Sequence, residues 1–147
     1  MTIRTAIVRR PLDIAALMAE LHDSANGATL AFLGHVRDVN DGRAVTGIEY
    51  TAYGEMAERE LASIASDAAT ATGVTDVIIE HRLGVLALGE ASIAIVTAHA
   101  HRDAAYAASR FVIEEVKKRL PVWKREHYAD GSREWVNAHG VATREPA

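Results

Sequence analysis

Pairs of strands separate the helices in this sequence, and this alternation limits the folds that the chain can adopt. Hydrophobic periodicity and turn residues predict the element order β α β β α β β α β β. A doubly wound parallel sheet needs a crossover helix between successive strands, whereas here strand repeatedly follows strand. The sequence therefore predicts one α+β domain, residues 1–147, of mostly antiparallel strands with three helices.

Three segments have the periodicity of amphipathic helices. The first follows Pro11, the second spans 55–72 with Gly73 as its stop, and the third spans 103–120. The residues predicted to face inward from the second helix are Met56, Leu61, Ile64 and Ala68. Those predicted to face inward from the third helix are Ala105, Ser109, Val112, Val116 and Leu120.

Turn residues predict how several strands pair. Segments 28–36 and 44–53 flank the run RDVNDGR, which predicts a hairpin with a long loop. The run GVLALGE (84–90) is predicted to be a turn between two further apolar strands. Asp130-Gly131 is a hairpin signal between VWKREHY and REWV.

Composition narrows the classes of function. The 147 residues carry a net charge of -4 and only 5% aromatic side chains. Nucleic-acid-binding modules usually present a broad basic face, often with interleaved aromatic residues, so we expect no nucleic-acid partner and reject a small RNA-binding domain. The chain has no cysteine. Any sulfur that it handles must therefore arrive on a substrate or a partner.

No segment predicts export or insertion into a membrane. The longest run without a charged residue is 13 residues, from Ser24 to Val36, which is too short to span a bilayer. The first residues, MTIRTAIVRRPLD, lack the apolar part of a signal peptide. We expect a cytoplasmic protein with no membrane partner, and a mobile C-terminal tail from about residue 137.

The segment KKRLPVWKRE (117–126) gathers five cations in ten residues of an otherwise acidic chain. A cation in the last turn of a helix is favourable without any function, which explains the first three. It does not explain the two cations after the proline. Strand alternation there places Lys124 and Glu126 on one face and Trp123 and Arg125 on the other, which indicates a local anion site.

A second basic patch, HAHRD (99–103), precedes the third helix. Asp103 is predicted to cap that helix, with His101 and Arg102 beside exposed amides that favour an anion such as phosphate. The alternative is that Arg102 pairs with a nearby carboxylate and His99 is packed. His99 and His101 are predicted to share a strand face, as two zinc ligands could. However, no His-Glu-x-x-His helix and no cysteine supports a metal site.

Four segments, taken together, carry a resemblance to a known family. They are GHVR (34–37), HRLGVLALGE (81–90), AHRD (100–103) and KKRLPVWKRE (117–126), in order between about residues 28 and 136. The most specific is the block Lys, three residues, Pro, one residue, Trp-Lys, one residue, Glu. Together the segments resemble the large, catalytic subunits of molybdopterin synthase. The resemblance implies a homodimer of hammerhead-like α/β fold that needs no metal and no other cofactor.

The resemblance further implies sulfur transfer into a pterin, in molybdenum cofactor biosynthesis. Members of the family bind two copies of a small ubiquitin-like sulfur-carrier subunit, which gives a heterotetramer. The C-terminal Gly-Gly of the small subunit carries sulfur as a thiocarboxylate. Two sulfurs pass to cyclic pyranopterin monophosphate, and the product is the dithiolene of molybdopterin. These implied activities make the chain a sulfurtransferase.

The resemblance also implies roles for individual residues. Lys117 is the expected catalytic lysine, which either attacks the acyl carbon or stabilises the oxyanion as sulfur leaves. Lys124 is the second expected catalytic residue. The implied substrate-binding positions are His35, Val36, Arg37, His101, Arg102, Lys117, Lys124, Arg125 and Glu126. For His35, the backbone is the expected contributor more than the side chain.

The main alternative is a non-catalytic module of the same fold that binds an anion or a C-terminal tail. Such a module needs positive charge, but it does not need both Lys117 and Lys124 in this arrangement. The presence of the two lysines therefore favours the enzyme over the binding module.

Arg102 and Lys117 lie at opposite ends of the third helix. They are 15 residues apart, so the helical rise places their backbones roughly 22 Å apart. One small substrate could hardly touch both residues within one subunit. Because the resemblance nevertheless places both residues at the substrate, we predict a two-fold dimer in which His101 and Arg102 of one subunit complete the site that holds Arg37, Lys117 and Lys124 of the other.

Overall fold

The computed structural model describes residues 1–137 and 140–143 of the chain. The elements are β1 (Thr2–Val8), α1 (Ile14–Ala19), β2 (Ala28–His35), β3 (Val39–Asn40), β4 (Arg43–Ala52), α2 (Gly54–Thr72), β5 (Asp76–Arg82), β6 (Gly84–Ala87), β7 (Ala91–His99), α3 (Arg102–Arg119), β8 (Val122–Tyr128) and β9 (Arg133–Val136). This order confirms the predicted one and adds two short strands, β3 and β6. The fold is α+β with three helices and mostly antiparallel strands, as predicted.

The first sheet has the strand order β1-β5-β7-β2. β1 and β5 are parallel, and the other pairs are antiparallel. Helices α2 and α3 pack on one face of this sheet, and α1 packs on the other. Burial on both faces explains why β7 is a nearly continuous apolar run without alternation.

The second sheet is built around β4. One edge of β4 pairs with β8, which also pairs with β9, and the other edge pairs with β6. The chain leaves the first sheet and enters the second at Gly84, whose φ of 105° is one that a side chain would strain. This crossing brings the end of β5 next to β4, and the candidate site lies at that junction.

The predicted hairpin between segments 28–36 and 44–53 is wrong. β2 pairs with β7 in the first sheet, whereas β4 belongs to the second sheet. The turn predicted over 84–90 contains a strand, β6, that pairs with β4. The hairpin predicted at Asp130-Gly131 is confirmed, because β8 and β9 pair antiparallel across it.

The two long helices confirm most of the predicted inward positions. All five residues predicted to face inward from α3 are buried. α2 ends at Gly73, with φ 73°, as predicted. The inward prediction for Met56 is wrong, because Met56 is 51% exposed and the fully buried Ala57 takes its place. None of the described helices is long and apolar enough to cross a membrane.

Part of the C-terminal tail returns to β9. Val136 forms a bridge with Ala142, and the Thr143 amide donates to the Trp135 carbonyl oxygen at 2.8 Å. Residues 138–139 and 144–147 lie outside the described residues. The mobility expected from about residue 137 therefore stays a prediction.

Candidate active site

Lys117 lies in the last turn of α3, where the helix meets the junction of the two sheets. Val112 and Val116 fix the inner face of this turn in the main core. The negative end of the helix dipole favours a cation at this position. Lys117 faces a cavity, and its ammonium forms no ion pair with any residue that the structure describes.

Strand β8 supplies Lys124 and Glu126 to the same site. Alternation along the strand places both on one face, as predicted, opposite Tyr50 and Ile48 of β4. Lys124 Nζ lies 4.0 Å from Glu126 Oε1. The Tyr128 hydroxyl donates to Glu126 Oε2 at 2.9 Å. The buried carboxylate of Glu126 therefore has a partner near each oxygen.

The loop after β2 brings Arg37 to the other side of the site. His35 Nδ1 lies 3.0 Å from the Gly89 carbonyl oxygen. The Val36 amide donates to the Glu90 carbonyl oxygen at 2.9 Å. Because this amide is already hydrogen-bonded, it is not available to a substrate. Val36 therefore contributes only its buried side chain to the cavity wall. Arg37 is exposed, and its charge helps to lower the pKa of Lys117.

Two adjoining cavities meet at the lysines. They share Tyr50, Ser92, Ile93, Ile113, Lys117 and Lys124. The first, of about 280 Å³, is completed by His81, Val116, Leu120, Val122, Asn137 and Gly140. The second, of about 180 Å³, is completed by Phe32, Gly34, His35, Val36, Arg37, Val39, Val45, Ile48 and Glu126.

The two cavities differ in charge. We call the first the neutral cavity, because the two shared lysines are the only Lys, Arg, Asp or Glu among its described lining residues. We call the second the charged cavity, because Arg37 and Glu126 add to the lysines there. Lys117 and Lys124 therefore stand at the boundary between a charged compartment and a largely uncharged one.

The surroundings of Lys117 lower the pKa of its ammonium. Burial is the largest cause, and the positive charges of Lys124 and Arg37 act in the same direction. A lower pKa enlarges the neutral fraction of the amine at a given pH. The site can therefore use Lys117 as a nucleophile in its neutral form, or as a stabiliser of negative charge in its protonated form.

His101 and Arg102 lie at the opposite end of α3. His101 is the N-cap residue and Arg102 begins the helix, so the prediction that Asp103 caps it is wrong. The three side chains are exposed and line an open cavity of about 330 Å³. None of its described lining residues also lines the two cavities at Lys117. Within one protomer, the structure does not bring Arg102 to Lys117.

Arg125 points to the face of β8 that lies away from the cavities. Its guanidinium donates to Glu49 Oε1 at 2.6 Å and lies 4.6 Å from the centre of the Trp135 ring. The resemblance implied that Arg125 and Glu126 both bind substrate at one site, but strand alternation sends the two side chains to opposite faces. Binding of substrate by Arg125 stays a prediction that the geometry of one protomer does not support.

His99 and His101 do not belong to a metal-binding cluster in the part of the chain that the structure describes. The two ring centres are 6.1 Å apart, and the His101 amide donates to His99 Nδ1 at 3.0 Å. Within residues 1–137 and 140–143, no group of three or more His, Cys, Asp or Glu could hold a metal ion. The zinc alternative therefore lacks a ligand set in this part of the chain.

The sequence did not mark three polar strand residues in the cavity walls: Tyr50, His81 and Ser92. His81 is buried, and its ring meets that of Tyr50 edge-on, with the ring centres 5.3 Å apart. Each lies within a strand at a position that no spacing rule marks. The only available signal was polarity at positions that the strand pattern predicts to be buried.

Comparisons with known proteins bear on the family. The model of the MoaE protein family matches residues 7–119. The molybdopterin synthase catalytic subunit of a Nostoc species is 41% identical over 133 residues, which cover 90% of this chain and 81% of that protein.

Solved structures share the fold. Molybdopterin synthase from Staphylococcus aureus superimposes with a TM-score of 0.83 at 32% identity, covering 88% of this chain and 94% of that one. A chain from a Helicobacter pylori complex of subunits 1 and 2 of molybdopterin-converting factor has a TM-score of 0.70 at 22% identity, covering 97% and 92%. The last similarity concerns the fold alone. From the family match and the identity to a full-length relative, this chain belongs to the MoaE family, the family of molybdopterin synthase catalytic subunits.

Proposed function

We propose that this chain transfers two sulfurs to cyclic pyranopterin monophosphate, as the catalytic subunit of a molybdopterin synthase. The sulfur comes from the C-terminal thiocarboxylate of a small ubiquitin-like subunit. The observation that carries this proposal is the convergence of Lys117, Lys124 and Arg37 on two adjoining cavities. Membership in the MoaE family supports it independently.

The reaction needs a cluster of cations. A thiocarboxylate and a phosphate are both anions, and two like charges 4 Å apart near a protein surface repel by about 4 kcal/mol. The positive charges of Lys117, Lys124 and Arg37 offset this repulsion. The chain as a whole is acidic, with a net charge of -4, so the attraction for anions has to be local. The charged cavity supplies that local attraction.

In the proposed step, the thiocarboxylate sulfur forms a bond to a side-chain carbon of the pterin precursor as a carbon–oxygen bond at that carbon breaks, and the oxygen leaves as water or stays on the phosphate. The bond between this sulfur and the acyl carbon then breaks. The acyl group passes to water, directly or after attack by Lys117, and the small subunit leaves as an ordinary carboxylate. A second small subunit repeats the step and supplies the second sulfur. Lys117 acts at the acyl carbon, either as the attacking amine or as the cation beside the developing oxyanion.

The second lysine has a fixed position. Glu126 lies 4.0 Å from Lys124, and the hydroxyl of Tyr128 holds Glu126 in turn. The Asn40 side-chain amide donates to that hydroxyl at 3.0 Å. This row of contacts orients the Lys124 ammonium toward the boundary of the two cavities, where the proposed transfer takes place.

We further propose a homodimer in which each site takes residues from both subunits. His101 and Arg102 are exposed, lie far from Lys117 in one protomer, and line a separate cavity. A two-fold axis can bring this end of α3 to the charged cavity of the partner, where Arg102 would bind the substrate phosphate. Two small subunits on this dimer give a heterotetramer.

The decisive experiment supplies the purified protein with a thiocarboxylated small subunit and cyclic pyranopterin monophosphate. Mass spectrometry of the pterin should show two added sulfurs, and the spent small subunit should carry a carboxylate. A small subunit with an ordinary C-terminal carboxylate is the matched control and should give no product. Tight binding of both partners without sulfur transfer would contradict the enzyme and support the binding module.

A further inference from the structure

His81 is a buried polar residue in the wall of the neutral cavity, for which the proposed transfer assigns no role. It lies near the end of β5, is only 6% exposed, and packs its ring edge-on against Tyr50. The same cavity is lined by Lys117 and Lys124. The imidazole therefore stands within the site, although no part of the proposed sulfur transfer uses it.

One nitrogen of His81 is already engaged. Nδ1 lies 3.0 Å from the Arg82 carbonyl oxygen. Because a carbonyl oxygen can only accept, Nδ1 carries a proton and donates. In a neutral imidazole with a protonated Nδ1, Nε2 has a free lone pair and accepts. The backbone at Arg82 thus fixes which nitrogen of His81 is the acceptor.

The imidazole is neutral at physiological pH. Burial lowers the pKa of His81 from 6.5 to about 4, and the charge of Lys117 acts in the same direction. The other polar groups that line this cavity are Tyr50, Ser92, Lys124 and Asn137, and none of its described lining residues is a carboxylate that could favour the imidazolium.

The acceptor nitrogen of His81 has no partner among the described residues. Among the residues that the structure describes, none donates a hydrogen bond to Nε2, and Nε2 is not one of the buried polar atoms closed off from solvent. A buried acceptor that loses water on ligand binding needs a donor from the ligand, since an unmatched acceptor is costly. A cationic donor would be repelled by Lys117 and Lys124 in the same lining, and an ionised carboxylate or phosphate has no proton to donate, so an uncharged N–H group is the favoured partner.

We propose that Nε2 of His81 accepts a hydrogen bond from an uncharged N–H group of a ligand in the neutral cavity. The inference rests on the proposed function, which offers two sources of this chemistry: a ring N–H of the pterin, and a peptide N–H of the small subunit's C-terminal Gly-Gly. His81 is then a binding residue that positions a ligand beside Lys117, while phosphate and thiocarboxylate charges are met by the cations.

The test uses His81→Phe, which keeps an aromatic ring against Tyr50 and removes the acceptor. His81→Gln places an amide oxygen near the position of Nε2 and should restore binding. The matched control is His127→Phe, because His127 is also largely buried but faces Glu49 on the other side of the sheet. Circular dichroism and melting temperature check the fold, and His81→Leu replaces the Phe variant if that variant does not fold.

Calorimetry then measures two affinities for each variant: that for the pterin precursor, and that for the small subunit in its carboxylate form, with and without its Gly-Gly. If the tail is the donor, His81→Phe should weaken binding of the intact small subunit about tenfold and leave the truncated one unchanged. If the pterin is the donor, only precursor binding should weaken, by a similar factor. The control should change neither affinity.

Two results would overturn the inference. One is unchanged affinity for both ligands in a folded His81→Phe protein. The other is a loss of turnover with both affinities intact, which would mean that His81 acts through Lys117. Failure of the proposed function is distinguishable from either result, because it would appear in the wild-type protein as no sulfur transfer from a thiocarboxylated small subunit.

Discussion

The two ends of α3 carry similar residues in opposite settings. At the C-terminal end, Lys117 enters a site enclosed by both sheets, with Lys124 and Glu126 beside it. At the N-terminal end, His101 and Arg102 project from an exposed turn into an open cavity. One end of the helix lines two adjoining cavities at the junction of the sheets, and the other lines a separate cavity with exposed side chains.

The helix dipole sharpens this contrast. A cation at the C-terminal end of a helix is stabilised, so Lys117 needs no ligand to justify its position. A cation at the N-terminal end is disfavoured, and Arg102 forms no ion pair with any other described residue. The stability of this protomer therefore does not explain Arg102, whereas an anion brought there in the assembled enzyme would.

The largest expected effect separates Lys117 from its neighbour Lys118. Lys117→Ala should lower turnover by about 10² to 10³-fold, since it removes the group that we propose to act at the acyl carbon. Lys118→Ala is the matched control, because the Lys118 side chain is 69% exposed. Its Nζ lies 3.9 Å from Glu115 Oε1. Both variants should fold, with stability changed by less than about 1 kcal/mol. Near-normal sulfur transfer by Lys117→Ala would remove the catalytic assignment.

Mixing two inactive variants tests whether the two ends of α3 meet across a dimer. Arg102→Ala and Lys117→Ala are unfolded and refolded together in equal amounts. In a mixed dimer one shared site receives both substitutions and the other receives neither, so about a quarter of wild-type activity should return. Each variant refolded alone is the control. No recovery in the mixture would show that each subunit builds its own site.

The loss of folding stability in acid should depend on the buried His81 and not on the exposed His101. The folded protein keeps the pKa of His81 near 4, whereas the unfolded chain protonates it near 6.5. The unfolded state therefore binds the extra proton first, and stability is lost as pH falls from about 6.5 to about 4, by at most roughly 3 kcal/mol. Denaturant unfolding of His81→Phe should show a smaller loss over this range than wild type. An equal loss would mean that other groups dominate, and His101→Phe is the control at the open end.

The smallest expected effect concerns the coupling of the two lysines. Lys124→Gln removes one of the positive charges that lower the pKa of Lys117, so that pKa should rise toward 10.5. The rise should be only part of the shift, because burial is the larger cause. The pH dependence of amine labelling at Lys117, followed by peptide mass spectrometry, measures it. A pKa that falls in this variant would contradict the electrostatic description of the site.

Local sequence patterns predicted those parts of the molecule that are made locally. Asp130-Gly131 forms its hairpin, and alternation in β8 puts Lys124 and Glu126 on one face, because both depend on residues a few positions apart. The same alternation places the Arg125 side chain on the face of β8 that lies away from the cavities. Here the strand pattern was a better guide to side-chain placement than the family resemblance.

The pairing of strands that lie far apart in the chain could not be predicted from the sequence. The turn residues between segments 28–36 and 44–53 permit a hairpin, but β2 pairs with β7, a strand far along the chain. His81 and Tyr50 come together only because the chain crosses from one sheet to the other at Gly84. Neither fact has a signal in a window of ten or twenty residues.

The ladder between β4 and β8 has a consequence for the way in which the protein acquires activity. It sets Tyr50 opposite Lys124, and the ion pair between Glu49 and Arg125 closes a separation of 76 residues. Contacts between residues this far apart in the chain form slowly, because closing the intervening loop costs conformational entropy before the contacts can stabilise the fold. Helical structure should therefore return early after dilution from denaturant, and sulfur transfer should return late. On the ribosome, Lys117 and Lys124 can pack beside β4 only after nearly the whole chain has been synthesised.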